Sequence, residues 1–148
     1  MNKQILLDRL TSLSEKLSEL KEASKRALEN LSDNYLNRVK YLISGISFVT
    51  TDIGKDIISM NEGKVLNDIL LEAPVNARDV FVKLGETKII PSNTVPYLKQ
   101  MLTMSRAQKI DTNAVIKALP SIEEFIFYTK SFLEGAELYK EDADERVI

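Results

Sequence analysis

The chain contains neither cysteine nor histidine. Without cysteine it has no disulfides, no zinc–thiolate or iron–sulfur site and no thiol nucleophile. Without histidine it lacks the commonest general acid/base at neutral pH and the commonest metal ligand. No run approaches the roughly eighteen apolar residues of a membrane span, so no membrane association is expected. The N-terminus mixes charged and polar residues with its leucines and has no signal-peptide pattern, so a cytoplasmic location is the expectation. The net charge of -2 exerts no global pull towards nucleic acid and leaves only local basic patches for it.

What is present is helical periodicity. The 148 residues suit one domain, and 44% hydrophobic with 28% charged residues suits a packed core. The longest buried-looking stretch is Tyr35 to Met60. In it Leu36, Val39, Ile43, Ile46, Val49, Ile53 and Ile57 recur at steps of three and four. Tyr35, Leu42, Phe48 and Ile58 widen the stripe, which predicts a central helix touched from more than one side. Arg38, Thr50, Asp52 and Asp56 lie within it. Asp52 and Asp56 are four apart and share a face. That face either meets solvent or places Asp52 in a polar pocket between helices, since an unpaired buried carboxylate is costly.

Residues 2–32 read as a first helix. Leu6, Leu10, Leu13, Leu17, Leu20, Ser24, Ala27 and Leu31 alternate steps of four and three, a heptad stripe that Ser24 and Ala27 make shallow. It spans roughly 45 Å at about 1.5 Å per residue and suits one arm of an antiparallel bundle. Ser32-Asp33-Asn34 breaks the chain and caps the second helix, and Asn61-Glu62-Gly63 stops it. Residues 64–74 form a connector with one helical turn expected at Leu66–Leu71. Asn76 caps a short helix carrying Val80, Phe81 and Leu84, with Gly85 at its end. Ile89-Ile90-Pro91 has to tuck against the bundle. Ser92 or Asn93 caps a helix with Pro96 in its first turn. Asp111 caps another through Leu119, Pro120 breaks it, and Ser121–Glu124 is a capping box for the last. No strand is expected. The phenylalanines and tyrosines, at helical spacing, read as core rather than as a stacking platform for bases. The fold class is all-α, an antiparallel bundle over residues 1–140 with a charged tail at 141–148.

The stretches RVKYLISGISFVTTDIG, ARDVFVKLGETKIIP, LKQML and IDTNAVIKALPSIEEFI occur in this order. Together they make residues 1 to about 134 similar to the HepT-like family of HEPN-domain proteins. The resemblance implies an up-and-down four-helix bundle that forms a homodimer. It further implies a metal-independent ribonuclease toxin paired with a nucleotidyltransferase antitoxin, with no cofactor. In that family the catalytic arginine is followed four to six residues later by a histidine, near a tyrosine that the partner modifies. A polar residue of the second helix faces the same cleft. Arg106 is the counterpart of the arginine and Asp52 of the second-helix residue. Five residues beyond Arg106 stands Asp111, and neither histidine nor tyrosine occurs in that segment.

Two functions follow. One is a degenerate, non-catalytic member that keeps the dimer and the partner surface and binds RNA weakly, with Lys99, Arg106 and Lys109 as its basic face. The other is a ribonuclease using Arg106 with a carboxylate, Asp52 or Asp111, in place of histidine. Arginine holds its proton at any working pH. The carboxylate would need a pKa raised by burial to act as base. A hard-cation site from Asp52, Asp56 and Asp79 lacks any EF-hand-like loop, and no metal is expected.

Overall fold

The computed structural model describes residues 2–30 and 33–140. Leu31, Ser32 and the charged tail at 141–148 lie outside the described residues. The protein is all-α. The long helices are α1 (Lys3–Glu29), α2 (Asp33–Asn61) and α5 (Thr112–Leu133), and α3 (Ala77–Glu86) and α4 (Val95–Ser105) are shorter. α1 packs on α2 and α5, α4 on α2 and α5, and α3 on α2 and α4. Ion pairs of Arg9 with Asp52 and Asp56, and of Glu19 with Arg38, show that α1 and α2 run antiparallel.

The seam between these two helices follows from the sequence pattern. Leu6, Leu10, Leu13, Leu17 and Leu20 are buried on α1, and Val39, Ile43, Ile46, Ile53 and Ile57 on α2. Each such side chain contributes roughly 1.5–3 kcal/mol relative to exposure. Ser24 and Ala27 are fully buried where the stripe is shallow. The other side of α2 meets α3 so closely that a Cβ on Gly54 would lie 2.5 Å from Val80 Cγ1. Thr50 is fully buried there without a hydrogen-bond partner for its hydroxyl, as is Ser24 on α1.

Several local expectations are corrected. Pro120 does not divide the last helix, which runs unbroken through it. The proline sits on the exposed face, while Val115, Ala118, Leu119, Ile122, Phe125 and Leu133 continue one buried stripe past it. That burial outweighs the lost hydrogen bond, and Ser121 is buried rather than capping. In place of a helical turn at Leu66–Leu71, Val65–Leu66 and Ile69–Leu70 (β1 and β2) pair antiparallel, Val65 with Leu70 and Leu66 with Ile69. Asn67 and Asp68 form the turn with φ of 52° and 61°, the positive values a two-residue type I′ hairpin requires. Gly85 does not end α3. It lies inside the helix, where a Cβ would meet Val95 Cγ2 at 2.6 Å. Neither Ser92 nor Asn93 caps α4: Ser92–Thr94 forms a 3₁₀ turn leading into it. Phe48 does not widen the buried stripe, since it is 73% exposed.

The caps at Asn76 and Asp111 match expectation, whereas the α2 cap expected at Ser32-Asp33-Asn34 rests on Ser32, outside the described residues. Asn76 Oδ1 accepts from the Asp79 N–H at 3.0 Å, and Asp111 Oδ1 from the Ala114 N–H at 3.2 Å. Ile89 and Ile90 are buried under the bundle.

The two interior glycines of α2 give opposite expectations. Gly45 has open space around its Cα, so Gly45→Ala should stabilise the protein by about 1 kcal/mol through helix propensity. Gly54→Ala forces the stiff Val80 side chain aside, and overpacking of about 1–3 kcal/mol should cancel or exceed the same gain. Thermal unfolding of both variants, followed by circular dichroism, checks the ordering: Gly45→Ala melts above the parent and Gly54→Ala does not.

Candidate functional site

Arg106 stands at the C-terminal end of α4, where its backbone N–H donates to the Thr103 carbonyl at 3.2 Å and its side chain is exposed. It borders a groove of about 320 Å³ lined by Ser44, Ser47, Phe48, Thr51 and Lys55 of α2, Ala77 of α3, and Leu102 and Ser105 of α4. The α2 positions follow helical spacing and form one face. A second hollow of about 200 Å³ shares Ala77, Leu102 and Arg106 and adds Asn76 and Arg78, so Arg106 stands where the two join.

The groove's hydroxyls are largely committed. Ser44 Oγ donates to the Ser105 carbonyl at 3.3 Å, Thr51 Oγ1 to the Ser47 carbonyl at 2.8 Å and Ser105 Oγ to the Leu102 carbonyl at 2.8 Å. Arg78 Nη2 donates to Thr103 Oγ1 at 2.6 Å. Lys55, Arg78 and Arg106 are the cations of this surface, and no carboxylate lines either hollow. The arrangement suits holding an anion by charge and hydrogen bonds. It offers no histidine or carboxylate to move a proton.

Asp52 opens onto a different groove, of about 460 Å³, between α1 and α2. Ile5, Asp8, Arg9, Ser12, Leu13, Lys16, Phe48 and Val49 complete its lining. Arg9 of α1 reaches across, with Nη1 2.8 Å from Asp56 Oδ2 and 3.4 Å from Asp52 Oδ2. The two aspartates thus share a face and a partner. Asp52 lines an interhelical groove and still meets solvent, its side chain 47% exposed. One residue along a helix turns the side chain by about 100°, so Thr51 faces Arg106 while Asp52 faces α1. Phe48 stands between the two and lines both grooves. Within the chain, then, Asp52 and Arg106 are not brought together. Asp111 is held as the cap of α5.

Sequence reasoning missed Lys55, Arg78, Ser44, Ser47 and Thr51. The run of small polar residues at 44, 47 and 51, at helical spacing in an otherwise apolar helix, carried the signal for the α2 side. Nothing local marked Arg78, which reaches the site only because α3 packs beside α4. Lys99 and Lys109, expected as a basic face with Arg106, line neither hollow. Asp79 is engaged by the Val75 N–H at 2.8 Å and stands 3.7 Å from Lys83 Nζ, on a different element from Asp52 and Asp56. Among the described residues no cluster of three or more acidic side chains is placed to hold a metal.

On the same pair of helices, Arg26 Nε donates to Glu22 Oε1 at 2.9 Å. That bond, followed by one with Tyr35, raises the guanidinium pKa above its ordinary value, so Arg26 stays charged at any working pH. Comparison with protein-family models and with curated proteins found no match. Among the described residues no helix is long and apolar enough to cross a membrane.

The Arg9 clamp has a measurable weight. A double-mutant cycle on Arg9→Ala and Asp56→Ala should give a coupling of about 0.5–1 kcal/mol, the range of partly exposed pairs. In about 1 M salt, where the Debye length falls to about 3 Å, the coupling should shrink. Urea melts of the four proteins at both salt concentrations check this.

Proposed function

We propose that this chain is a non-catalytic HepT-like HEPN protein, a homodimeric interaction module whose Arg106 groove holds RNA phosphates without cutting them. The observation that carries this reading is the separation of charge: cations gather around Arg106, while the carboxylate expected to work with it is clamped to Arg9 in another groove. RNA cleavage by the 2′-OH needs a base and an acid, each contributing about 10² to 10⁴-fold. Arg106 supplies neither role and can only stabilise negative charge. Lys55, Arg78 and Arg106 lie where phosphate oxygens could be held in the salt-dependent manner of weak, non-specific binding. A nucleotidyltransferase-type partner, as in a toxin–antitoxin pair, belongs to the proposal through the sequence resemblance alone.

The dimer draws support from a bare strip on α2. Tyr41 is 70% and Phe48 73% exposed, Gly45 lies between them with nothing over it, and Ile5 of α1 is 47% exposed nearby. Aromatic side chains left on one helix face are the usual anchors of interfaces. Asp8, Lys16 and Asp52 around them offer both signs of charge, as a self-complementary two-fold contact requires.

Static light scattering at micromolar concentration should give twice the 16.7 kDa chain mass. Phe48→Glu should give the single-chain mass with unchanged helical circular dichroism, because the side chain contributes little to the protomer core. A wild-type monomer at that concentration, or a Phe48→Glu dimer, would contradict the proposed interface.

A further inference from the structure

α5 and the segment that follows it build an aromatic corner that shares no residue with the Arg106 groove. α5 ends in a Schellman turn. Gly135 has φ of 91°, the Ala136 N–H donates to the Ser131 carbonyl at 2.9 Å and the Gly135 N–H to the Phe132 carbonyl at 3.1 Å. The chain therefore folds back. Leu138 packs against the core, and the Tyr139 N–H donates to the Lys88 carbonyl at 2.8 Å. This fixes the Tyr139 ring 5.2 Å from that of Tyr128 at 78°, and Phe127 stands 5.0 Å from Tyr128 at 87°. Three rings meeting near right angles form a corner rather than a stack.

The corner borders a hollow of about 400 Å³, completed by Pro91, Asn93, Glu123 and Glu124. Glu123 and Phe127, and Glu124 and Tyr128, are four apart, so each carboxylate lies on the same helix face as a ring. Glu123 is paired with Lys21 of α1. No ion pair among the described residues engages Glu124, which is half-buried. The hollow thus holds one carboxylate without an ion-pair partner among the described residues, beside three aromatic rings. Phe127 meets Tyr128 edge to face and still leaves 62% of its surface exposed.

We infer that this hollow is a binding site for a small quaternary or alkylated ammonium ion. Ring faces attract a cation within about 6 Å of their centroids, and the attraction grows as water is excluded. Alkylation suits the site, because methyl groups bury against Pro91 and the rings while the charge stays close to Glu124. A primary ammonium would lose more hydration than the rings return. A neutral molecule of the same shape keeps the apolar contact and forfeits the charge terms. Anions are repelled by Glu124. Recognition here requires neither the dimer nor RNA, so it stands or falls apart from the function proposed above.

The experiment is a titration of the full chain with choline chloride and with tetramethylammonium chloride, read by amide NMR shifts and by calorimetry. Sodium chloride serves as the ionic-strength control and 3,3-dimethylbutan-1-ol as the neutral isostere of choline. The expected result is saturable binding of both cations, with shifts centred on residues 123–128 and 139. The neutral isostere should bind about tenfold more weakly, the factor corresponding to a cation–π and carboxylate contribution of this kind. Phe127→Ala and the isosteric Glu124→Gln should each weaken choline binding several-fold. Phe127 is exposed, so its truncation leaves the fold intact, and Glu124→Gln changes charge alone. Equal binding of choline and its neutral isostere would overturn the inference. So would choline affinity unchanged in both variants, or shifts no different from those in sodium chloride.

Discussion

The α1–α2 seam is the constraint on which the rest of the molecule depends. A leucine every three or four residues on α1 commits one side of α2 to burial, and the other side is committed against α3 and α4. With both sides taken, only two narrow strips of α2 remain for polar residues, and each strip opens onto a groove. Asp52 and Asp56 fall in the strip facing α1, where Arg9 pairs with both. Ser44, Ser47, Thr51 and Lys55 fall in the strip facing α4, beside Arg106. Adjacent residues of one helix thus serve different surfaces, and Phe48 forms the wall between.

The same constraint explains which parts of the structure were legible in the sequence. The stripes of α1 and α2 were visible because periodic burial over seven or more turns leaves a redundant pattern. The caps at Asn76 and Asp111 were visible because their side chains act within three residues. Pro120 misled because a local breaker was weighed without the buried stripe that continues past it, from Val115 to Leu133. A two-residue hairpin buries little, so its only mark was the Asn67-Asp68 pair between apolar dipeptides. Phe48 misled most. Hydrophobic character alone does not tell a core residue from one left for another surface. Of the expected site, only the place of Arg106 at the C-terminal end of α4 was legible. Its neighbours were not, because Arg78 arrives from α3 through tertiary packing, and because one residue of helical phase separates Thr51 from Asp52.

Chemically, the molecule presents two surfaces of opposite character. The Arg106 groove is cationic and short of proton-transfer groups, and its hydroxyls already donate to backbone carbonyls. The α5 hollow is aromatic and carries a carboxylate, Glu124, that no ion pair among the described residues engages. Neither arises from the net charge of -2, which conceals both. A histidine-free groove with an arginine at its edge offers charge to hold an anion and no ordinary group to move a proton. The bare strip at Tyr41 and Phe48 adjoins that groove through Phe48 itself, so covering the strip would also alter the groove's wall.

The central claim is that the Arg106 groove binds RNA without cleaving it. The direct measurement follows one end-labelled RNA with the wild-type protein and with Arg106→Ala, scoring both retention and strand breakage over a range of salt. The account predicts intact RNA with both proteins, and weak retention by the wild type that falls as salt rises and falls further in Arg106→Ala. Strand cleavage by the wild type that disappears in Arg106→Ala would contradict it and make the groove an active site.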